Sequence, residues 1–295
     1  MVDQIETLKD YLADPTKVIK LHDAYAVLTK ELVSQANDER FDVSLTADNA
    51  LFVERMHQYE RIVEQLLAAE LLIGRWGRGN QAEIATIPLR RLAEGIQAKG
   101  GTTAFLQARW YPVFLLLYAG CIGATAGHNY EAIVSITHAT APNPYGTKNR
   151  DALLTAVTAA MTDIHDMFRL FPGMERKRSP RSDYLFDLIR PYADDVPYLS
   201  SDYESIFDRA ETILFIEYMH LDHPGPIADN ERVWGPAGRF ISKNTYVSPL
   251  SAIISEATAA GNNWPPTKAG LFGGSTERFI ELAKCAARLI NQSGW

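Results

Sequence analysis

The sequence predicts an all-α protein, a multi-helix array or bundle, and three observations lead to that prediction. Apolar residues recur at three- and four-residue spacing through most of the 295 positions, which is the period of an amphipathic helix. Proline and glycine interrupt this pattern and leave segments of helical length between them. Residues 110–127, WYPVFLLLYAGCIGATAG, contain no charged side chain. Such a stretch belongs either in a membrane or at the centre of a sizeable core.

The composition of residues 110–127 favours the core. A membrane-spanning helix needs about 20 apolar residues, whereas the most apolar part here, residues 113–118, is short and follows Pro112. Ala119, Gly123 and Gly127 then recur every four positions. Small residues at this spacing allow a second helix to approach closely. We therefore predict a buried helix with a tight helix crossing, and no membrane association.

The first predicted helix begins at Asp14 and Pro15, an N-cap residue followed by proline in the first helical position. It runs to about residue 34 with one apolar face directed inward. That face comprises Val18, Leu21, Ala24, Val27 and Leu28.

Thr46 is expected to cap the next helix, which runs to about residue 73. Residues 81–98 repeat the helical pattern, but Pro88 predicts a break near Thr86. A shorter helix is predicted over 131–138, followed by a loop over 139–146.

The second half continues the helical pattern. Helices are predicted over 149–170, 182–190, 202–221, 249–260 and 276–291. An irregular segment rich in proline and glycine lies near 222–249, and its short apolar pieces are candidates for small strands. The loop near 139–148 leaves two organisations open: a single helical domain over 1–295, or two packed lobes, 1–138 and 149–295.

Composition narrows the function. The chain is 46% hydrophobic and 22% charged, as in ordinary globular proteins. A net charge of −7 argues against broad binding to nucleic acid, which needs a basic face. Cys121 and Cys285 show no metal or redox spacing, so we expect buried free thiols and a cytoplasmic location. The polar N-terminus has no apolar signal segment.

Two groups of residues make a metal-dependent helical hydrolase the alternative hypothesis. His165 and Asp166 form the pair found in HD phosphohydrolases, with His138 and Asp208 as further ligands by their order in the chain. Imidazole and carboxylate groups are ligands for zinc and other divalent metals.

The second group is Glu217, His220 and His223, spaced three residues apart beside Asp222. His223 is more than half a turn round the helix from Glu217, so it would have to lie beyond the helix end to join them. The simpler interpretation is a histidine-rich helix C-terminus, which suits the helix dipole.

A glycine-rich stretch, KAGLFGGST over 268–276, leads into the last helix. Backbone N–H groups at such a helix start can hold phosphate. However, Gly274 occupies the position at which a phosphate-binding loop carries lysine. We predict a structural turn with Phe272 in the core, in which Gly273 or Gly274 has a positive φ, and we predict no cofactor.

The strongest positive cluster lies in the segment 174–181, MERKRSPR. It contains Arg176, Lys177, Arg178 and Arg181, which we predict to contact an acidic partner. A protein partner or an effector module is expected, and nucleic acid is possible only at this loop.

Four segments carry a resemblance to a known group of proteins. They are QYERIVEQLLAAELLIGRWG (58–77), RWYPVFLLLYAGCIGA (109–124), WGPAGRF (234–240) and WPPTKAGLFGGSTERF (264–279). Together they resemble the helical C-terminal regulatory or sensor region of large prokaryotic antiphage-defence proteins, over roughly residues 20–290. In those proteins the N-terminal part carries a sirtuin-like or Toll/interleukin-receptor-like effector module.

The shared motifs are packing motifs, so the resemblance implies no catalytic residue. No effector module precedes the region in this sequence, which implies either a piece of a longer protein or a separate partner chain. We therefore expect a non-enzymatic helical sensor or scaffold that binds a protein partner or trigger and regulates an effector.

Overall fold

The computed structural model describes residues 2–46, 48–96, 100–146, 149–194, 196, 199–226, 236–243 and 248–292. Within these ranges the chain is an array of α-helices with one two-stranded sheet, so the predicted all-α class is confirmed. The helices are α1 (Val2–Ala13), α2 (Val18–Ala36), α3 (Asn49–Trp76), α4 (Asn80–Ile84), α5 (Thr86–Gly95), α6 (Thr103–Ala108), α7 (Tyr111–Ala126), α8 (Tyr130–His138), α9 (Leu153–Asp163), α10 (Pro180–Ala193), α11 (Tyr203–Asp222), α12 (Pro249–Ala260), α13 (Pro265–Lys268) and α14 (Thr276–Gln292).

Helix α7 is the centre of the fold. Every residue from Tyr111 to Thr125 is buried, and its main neighbour is α3. A side-chain carbon added to Gly123 would overlap the carbonyl group of Leu71, and one added to Gly127 would overlap that of Arg75. The two backbones therefore touch along the glycine positions. The predicted buried helix and its close crossing are confirmed.

One stretch, Thr103–Ala126, is long and apolar enough to cross a membrane by length and composition, and 89% of its most apolar window is buried inside the fold. Burial of this stretch agrees with its prediction as a core helix. Cys121 lies within it, and both Cys121 and Cys285 are buried free thiols, as expected.

The N-terminal elements differ in detail from the prediction. Asp14 caps as expected, since its carboxylate accepts from the Thr16 backbone N–H at 2.9 Å, but Pro15–Lys17 form a 3₁₀ turn before α2. The structure also has α1, which the sequence analysis did not assign. Asp48 caps α3 in place of Thr46, and its carboxylate accepts from the Leu51 N–H at 2.8 Å.

One residue of the predicted apolar face of α2 points the wrong way. Val27 is 67% exposed, although Leu21 on the same helix is fully buried. Leu28 and Ala24 are partly buried against the core. Helical spacing alone places Val27 beside the inward stripe, but α2 packs on α3 and α5 over a narrower face.

The sheet lies in a different place from the predicted strands. Strand β1 (Thr140–Pro142) pairs antiparallel with β2 (Arg150–Ala152), with Ala141 opposite Asp151. Strand β1 falls in the segment predicted as a loop, whereas β2 occupies the start of the helix predicted over 149–170, and α9 begins only at Leu153. No strand occurs in the described parts of the irregular segment, 222–226, 236–243 and 248–249, where Arg239–Ser242 form a 3₁₀ turn.

The helices on either side of the hairpin share contacts. Helix α7 packs against both α9 and α11, and one cluster of buried apolar side chains extends from Ile5 to Ala286. The described strap 236–243 lies against α10 and α11, through the bond of the Arg239 backbone to Ser182 and the ion pair of Lys243 with Asp208.

Candidate functional site

The basic loop predicted as a partner contact lies between the 3₁₀ turn His165–Leu170 and α10. Hydrogen bonds fix the backbone of this loop. The Arg169 guanidinium donates to the Lys177 carbonyl at 2.8 Å and to the Glu175 carbonyl at 3.4 Å. The Lys177 N–H donates to the carbonyl of buried Met174 at 3.2 Å. The loop therefore has a defined backbone conformation.

The side chains of Arg176, Lys177 and Arg178 all point outward. Each residue is exposed, and none has an ion-pair partner within 4.0 Å in the part of the chain that the structure describes. Arg169 pairs instead with Asp166 at 3.7 Å. Three unpaired cations on a fixed backbone form a positive surface on an acidic protein, and we call it the basic loop.

Arg181 does not belong to this surface, which corrects the prediction for that residue. It is only 4% exposed and lies in the first turn of α10. Its guanidinium donates to the Met161 carbonyl at 2.9 Å and lies 5.4 Å from the centre of the Phe114 ring. Arg181 therefore attaches the start of α10 to α9 and the core helix, and a partner would not reach it.

A buried polar network begins at Ser182, in the first turn of α10. The Ser182 hydroxyl donates to the Glu211 carboxylate at 2.7 Å and accepts from the Arg239 backbone N–H at 2.9 Å. Gly238 lies directly against the same carboxylate, where a side-chain carbon would overlap both oxygens. The Tyr118 hydroxyl lies 3.5 Å away. We call these residues the Glu211 network.

Burial raises the pKa of Glu211 to about 8. The hydrogen bond from Ser182 and the positive charges of Arg181 and Arg239 oppose that shift, and the charge of nearby Asp208 adds to it. Because Glu211 is 1% exposed, its neutral form is favoured at pH 7. The strap 236–243 therefore rests on a carboxyl group that keeps its proton.

Charged side chains fasten the strap at its rim. Lys243 contacts both Asp208, at 2.6 Å, and Glu204. The Arg239 guanidinium lies 3.7 Å from the centre of the Phe186 ring and 3.0 Å from Glu204. Burial raises the pKa of Asp208, and its ion pair with Lys243 opposes the shift. These contacts fix the strap to α10 and α11.

The HD pair does not assemble with its expected partners. Asp166 is exposed and pairs with Arg169, while burial and the nearby charge of Arg181 lower the pKa of His165 to about 4. His138 bonds to Glu217, and Asp208 is held by Lys243. Asp166, His138 and Asp208 therefore each have a different partner, and in the described ranges no three histidine, cysteine, aspartate or glutamate side chains converge as metal ligands would.

The Glu217, His220 and His223 group is also divided. Glu217 is fully buried, and its carboxylate lies 2.7 Å from the His138 ring nitrogen and accepts from the Phe272 N–H at 2.7 Å. Burial lowers the pKa of His220. His223 follows the end of α11 and lies 3.1 Å from Asp222. The structure therefore uses Glu217 to join α8 to the glycine-rich turn.

That turn matches its structural prediction. Gly273 and Gly274 have φ of 68° and 73°, and Phe272 is fully buried. Phe272 itself has a φ of 56°, which few non-glycine residues adopt. The aromatic contacts of Phe272 with Trp264 and Phe279 and its bond to Glu217 hold it there.

Sequence reasoning missed Glu211, Ser182 and the bond between His138 and Glu217. A usable signal exists for Glu217, since it is a single acid within the apolar run ILFIEYM. Glu70, in LLAAELLIG, has the same signature and is also fully buried, where the Tyr25 hydroxyl donates to it at 2.7 Å. Glu211 and Ser182 lie in ordinary helical sequence, and only the tertiary fold brings them together.

Comparisons of the chain with protein-family models, with curated proteins and with solved structures return no match. The resemblance to antiphage-defence regions stays a prediction.

Proposed function

We propose that this chain is a non-enzymatic helical regulatory domain that binds a protein partner and controls an effector. The observation that carries the proposal is the basic loop, in which Arg176, Lys177 and Arg178 are exposed on a backbone fixed by Arg169. Exposed ion pairs contribute about 0–1 kcal/mol, so these cations do little for folding. A fixed backbone lowers the entropy lost on binding, which favours a role in recognition.

The partner should present carboxylates. Arginine offers a planar fork of donors that suits carboxylate or phosphate groups. A protein surface fits the acidic chain as a whole better than nucleic acid does, because the positive surface is small beside a net charge of −7. Nucleic acid bound at the basic loop is the outcome that would change this proposal.

The test is capture of a partner from the native host with purified chain. Arg176→Glu with Arg178→Glu should weaken capture, and the parent protein should lose it as salt rises. The matched control is Lys268→Glu with Lys284→Glu, which makes the same charge change at exposed positions of α13 and α14. Equal capture by both double variants, or a stoichiometric transition metal found by elemental analysis, would contradict the proposal.

The link to antiphage defence rests on the sequence resemblance. Removal of the gene from its host should raise the plating efficiency of at least some phages, and re-expression of the parent chain should restore protection. Re-expression of the Arg176→Glu, Arg178→Glu variant should not. Equal protection by parent and variant would separate the basic loop from that role.

A further inference from the structure

A groove between α2 and α5 lies outside the region of the basic loop. His22, Lys30 and Val33 of α2 line one side, and Ile87, Arg90, Arg91 and Glu94 of α5 line the other. The space between them is about 540 Å³. We call it the α2–α5 groove.

The α2 side is a continuous helical stripe. Ile19, His22, Ala26, Lys30 and Val33 follow one another at spacings of three and four residues, so they share one face of the helix. Ile19 is 71% exposed, and Val27, one turn before Lys30, is 67% exposed. Among the described residues these are the two most exposed large apolar side chains, and Ile19 is the one that shares the stripe of the groove-lining residues.

The charges of the groove are mostly positive and unpaired. Lys30, Arg90 and Arg91 are exposed and have no ion-pair partner within 4.0 Å in the described ranges. Glu94 is paired with Arg150 at 2.5 Å, and His22 lies 3.2 Å from Asp23. A groove lined by Val33, Ile87 and three cations without ion-pair partners among the described residues is complementary to an amphipathic ligand that carries carboxylates.

We propose that the α2–α5 groove binds an acidic amphipathic α-helix of a protein partner. This inference rests on the proposed function, because it names the structure that such a partner would present. Two neighbouring helices form a channel into which a third helix can place apolar residues at three- and four-residue spacing. Ile19, Val33 and Ile87 would contact its apolar face, and Lys30, Arg90 and Arg91 its flanking glutamates. Exposed isoleucine and valine do not suit a nucleic-acid backbone.

The first test uses a synthetic helical peptide of about 20 residues, long enough to form a helix, with leucine on one face and glutamate beside it. Fluorescence anisotropy of the labelled peptide should show saturable binding to the parent chain. Arg90→Glu with Arg91→Glu should weaken binding at least about tenfold, which corresponds to about 1.4 kcal/mol. Lys268→Glu with Lys284→Glu should leave it unchanged. Equal binding of a scrambled peptide, or no effect of the groove variant, would overturn the inference.

The second test locates the peptide. Both native cysteines are buried, so Ile19→Cys, an exposed position on the same helix face as His22 and Lys30, supplies an accessible thiol for an environment-sensitive dye. The dye emission should shift to the blue when the peptide binds, whereas a dye at Ser251→Cys, an exposed position on α12, should not respond. Response at both positions would place the peptide elsewhere. A dimer in light scattering that the groove variant dissociates would assign the groove to a second copy of the chain.

The third test separates this inference from the proposed function. A partner captured equally by the parent and by the Arg90→Glu, Arg91→Glu variant, but lost by the basic-loop variant, overturns the groove and leaves the function standing. No partner captured by the parent at any salt concentration overturns the function, and the peptide titration still decides the groove. If the basic-loop variant and the groove variant both weaken capture of the partner, the result supports the proposed function and the groove inference.

Discussion

The crossing of α3 and α7 and the Glu211 network are both buried, but they are held together in opposite ways. At the crossing, glycines bring two backbones into contact, as Gly123 does with Leu71. In the Glu211 network, a glycine also makes room, but Gly238 packs against a carboxyl group. At the Gly123 contact the constraint is the volume between two backbones, whereas at Gly238 it includes the protonation of the Glu211 side chain. Burial alone therefore does not predict how the stability of either region responds to a substitution or to a change of pH.

Within the two regions compared, the largest effect should come from Gly123→Leu. The new side chain cannot avoid the Leu71 carbonyl without moving one helix, and overpacking of this kind costs about 1–3 kcal/mol or more. Urea unfolding should show the loss at every pH. Gly225→Ala is the control, because a side-chain carbon there meets no atom within 4 Å. Equal midpoints for Gly123→Leu and the parent would remove the close crossing.

The pH dependence of unfolding tests the other side of the comparison. The pKa of Glu211 is about 8 in the folded chain and near its ordinary value of 4.5 when unfolded. Between these values the folded state holds more protons, so this group makes stability fall as pH rises. At 1.36 kcal/mol per pKa unit the effect is on the order of a few kcal/mol. Glu211→Gln should therefore flatten the decline between about pH 5 and 8.

Two controls make that measurement specific. Glu131→Gln removes an exposed carboxylate from α8, and its unfolding curves should run parallel to those of the parent. Gly123→Leu should shift the curve down by a similar amount at each pH. A decline that persists unchanged in Glu211→Gln would contradict the buried neutral carboxyl group.

The turn at 270–274 combines a backbone constraint with side-chain contacts, and substitutions at Gly273 and Gly274 distinguish the two. Gly274 has a φ of 73°, and its nearest neighbour to an added carbon is the Thr267 carbonyl at 3.7 Å. Gly274→Ala should therefore cost about 1 kcal/mol from backbone strain alone. An added carbon on Gly273 also lies 3.1 Å from the His220 ring, so Gly273→Ala should cost more. Thermal unfolding of both variants measures the difference, and equal costs would assign the whole effect to the backbone.

The comparison also explains what the sequence could predict. The crossing was predictable because Gly123 and Gly127 carry their signal locally, in four-residue spacing next to an apolar run. The Glu211 network was not, because Ser182, Glu211 and Arg239 become neighbours only when α10, α11 and the strap pack together. Val27 is assigned inward because the helical period alone does not show how wide the buried face of α2 is. Pairing of β1 with β2 depends on contacts such as Leu153 N–H to the Ala139 carbonyl at 2.6 Å, which no short motif encodes.

The segment 174–181 shows the same contrast between what the local sequence predicts and what only the tertiary fold decides. The sequence gives no reason to separate Arg181 from the other three cations, Arg176, Lys177 and Arg178. However, the chain becomes buried at Ser179 and Pro180, and Arg181 is buried with them. Charged residues that cluster in the sequence are therefore exposed together only up to the residue at which the next helix begins.

The smallest effect follows from this division. Arg176→Glu with Arg178→Glu should change the free energy of unfolding by less than about 0.5 kcal/mol, because both side chains are exposed and unpaired in the described structure. Arg181→Glu makes the same charge change five residues after Arg176, but places a carboxylate beside Met161 and near Glu211. It should be strongly destabilising, because a buried charge without a partner is costly. Urea unfolding of the two variants at one pH makes the comparison. A large loss in the loop variant would mean that the three cations hold the fold together, and their role in partner binding would then need a different argument.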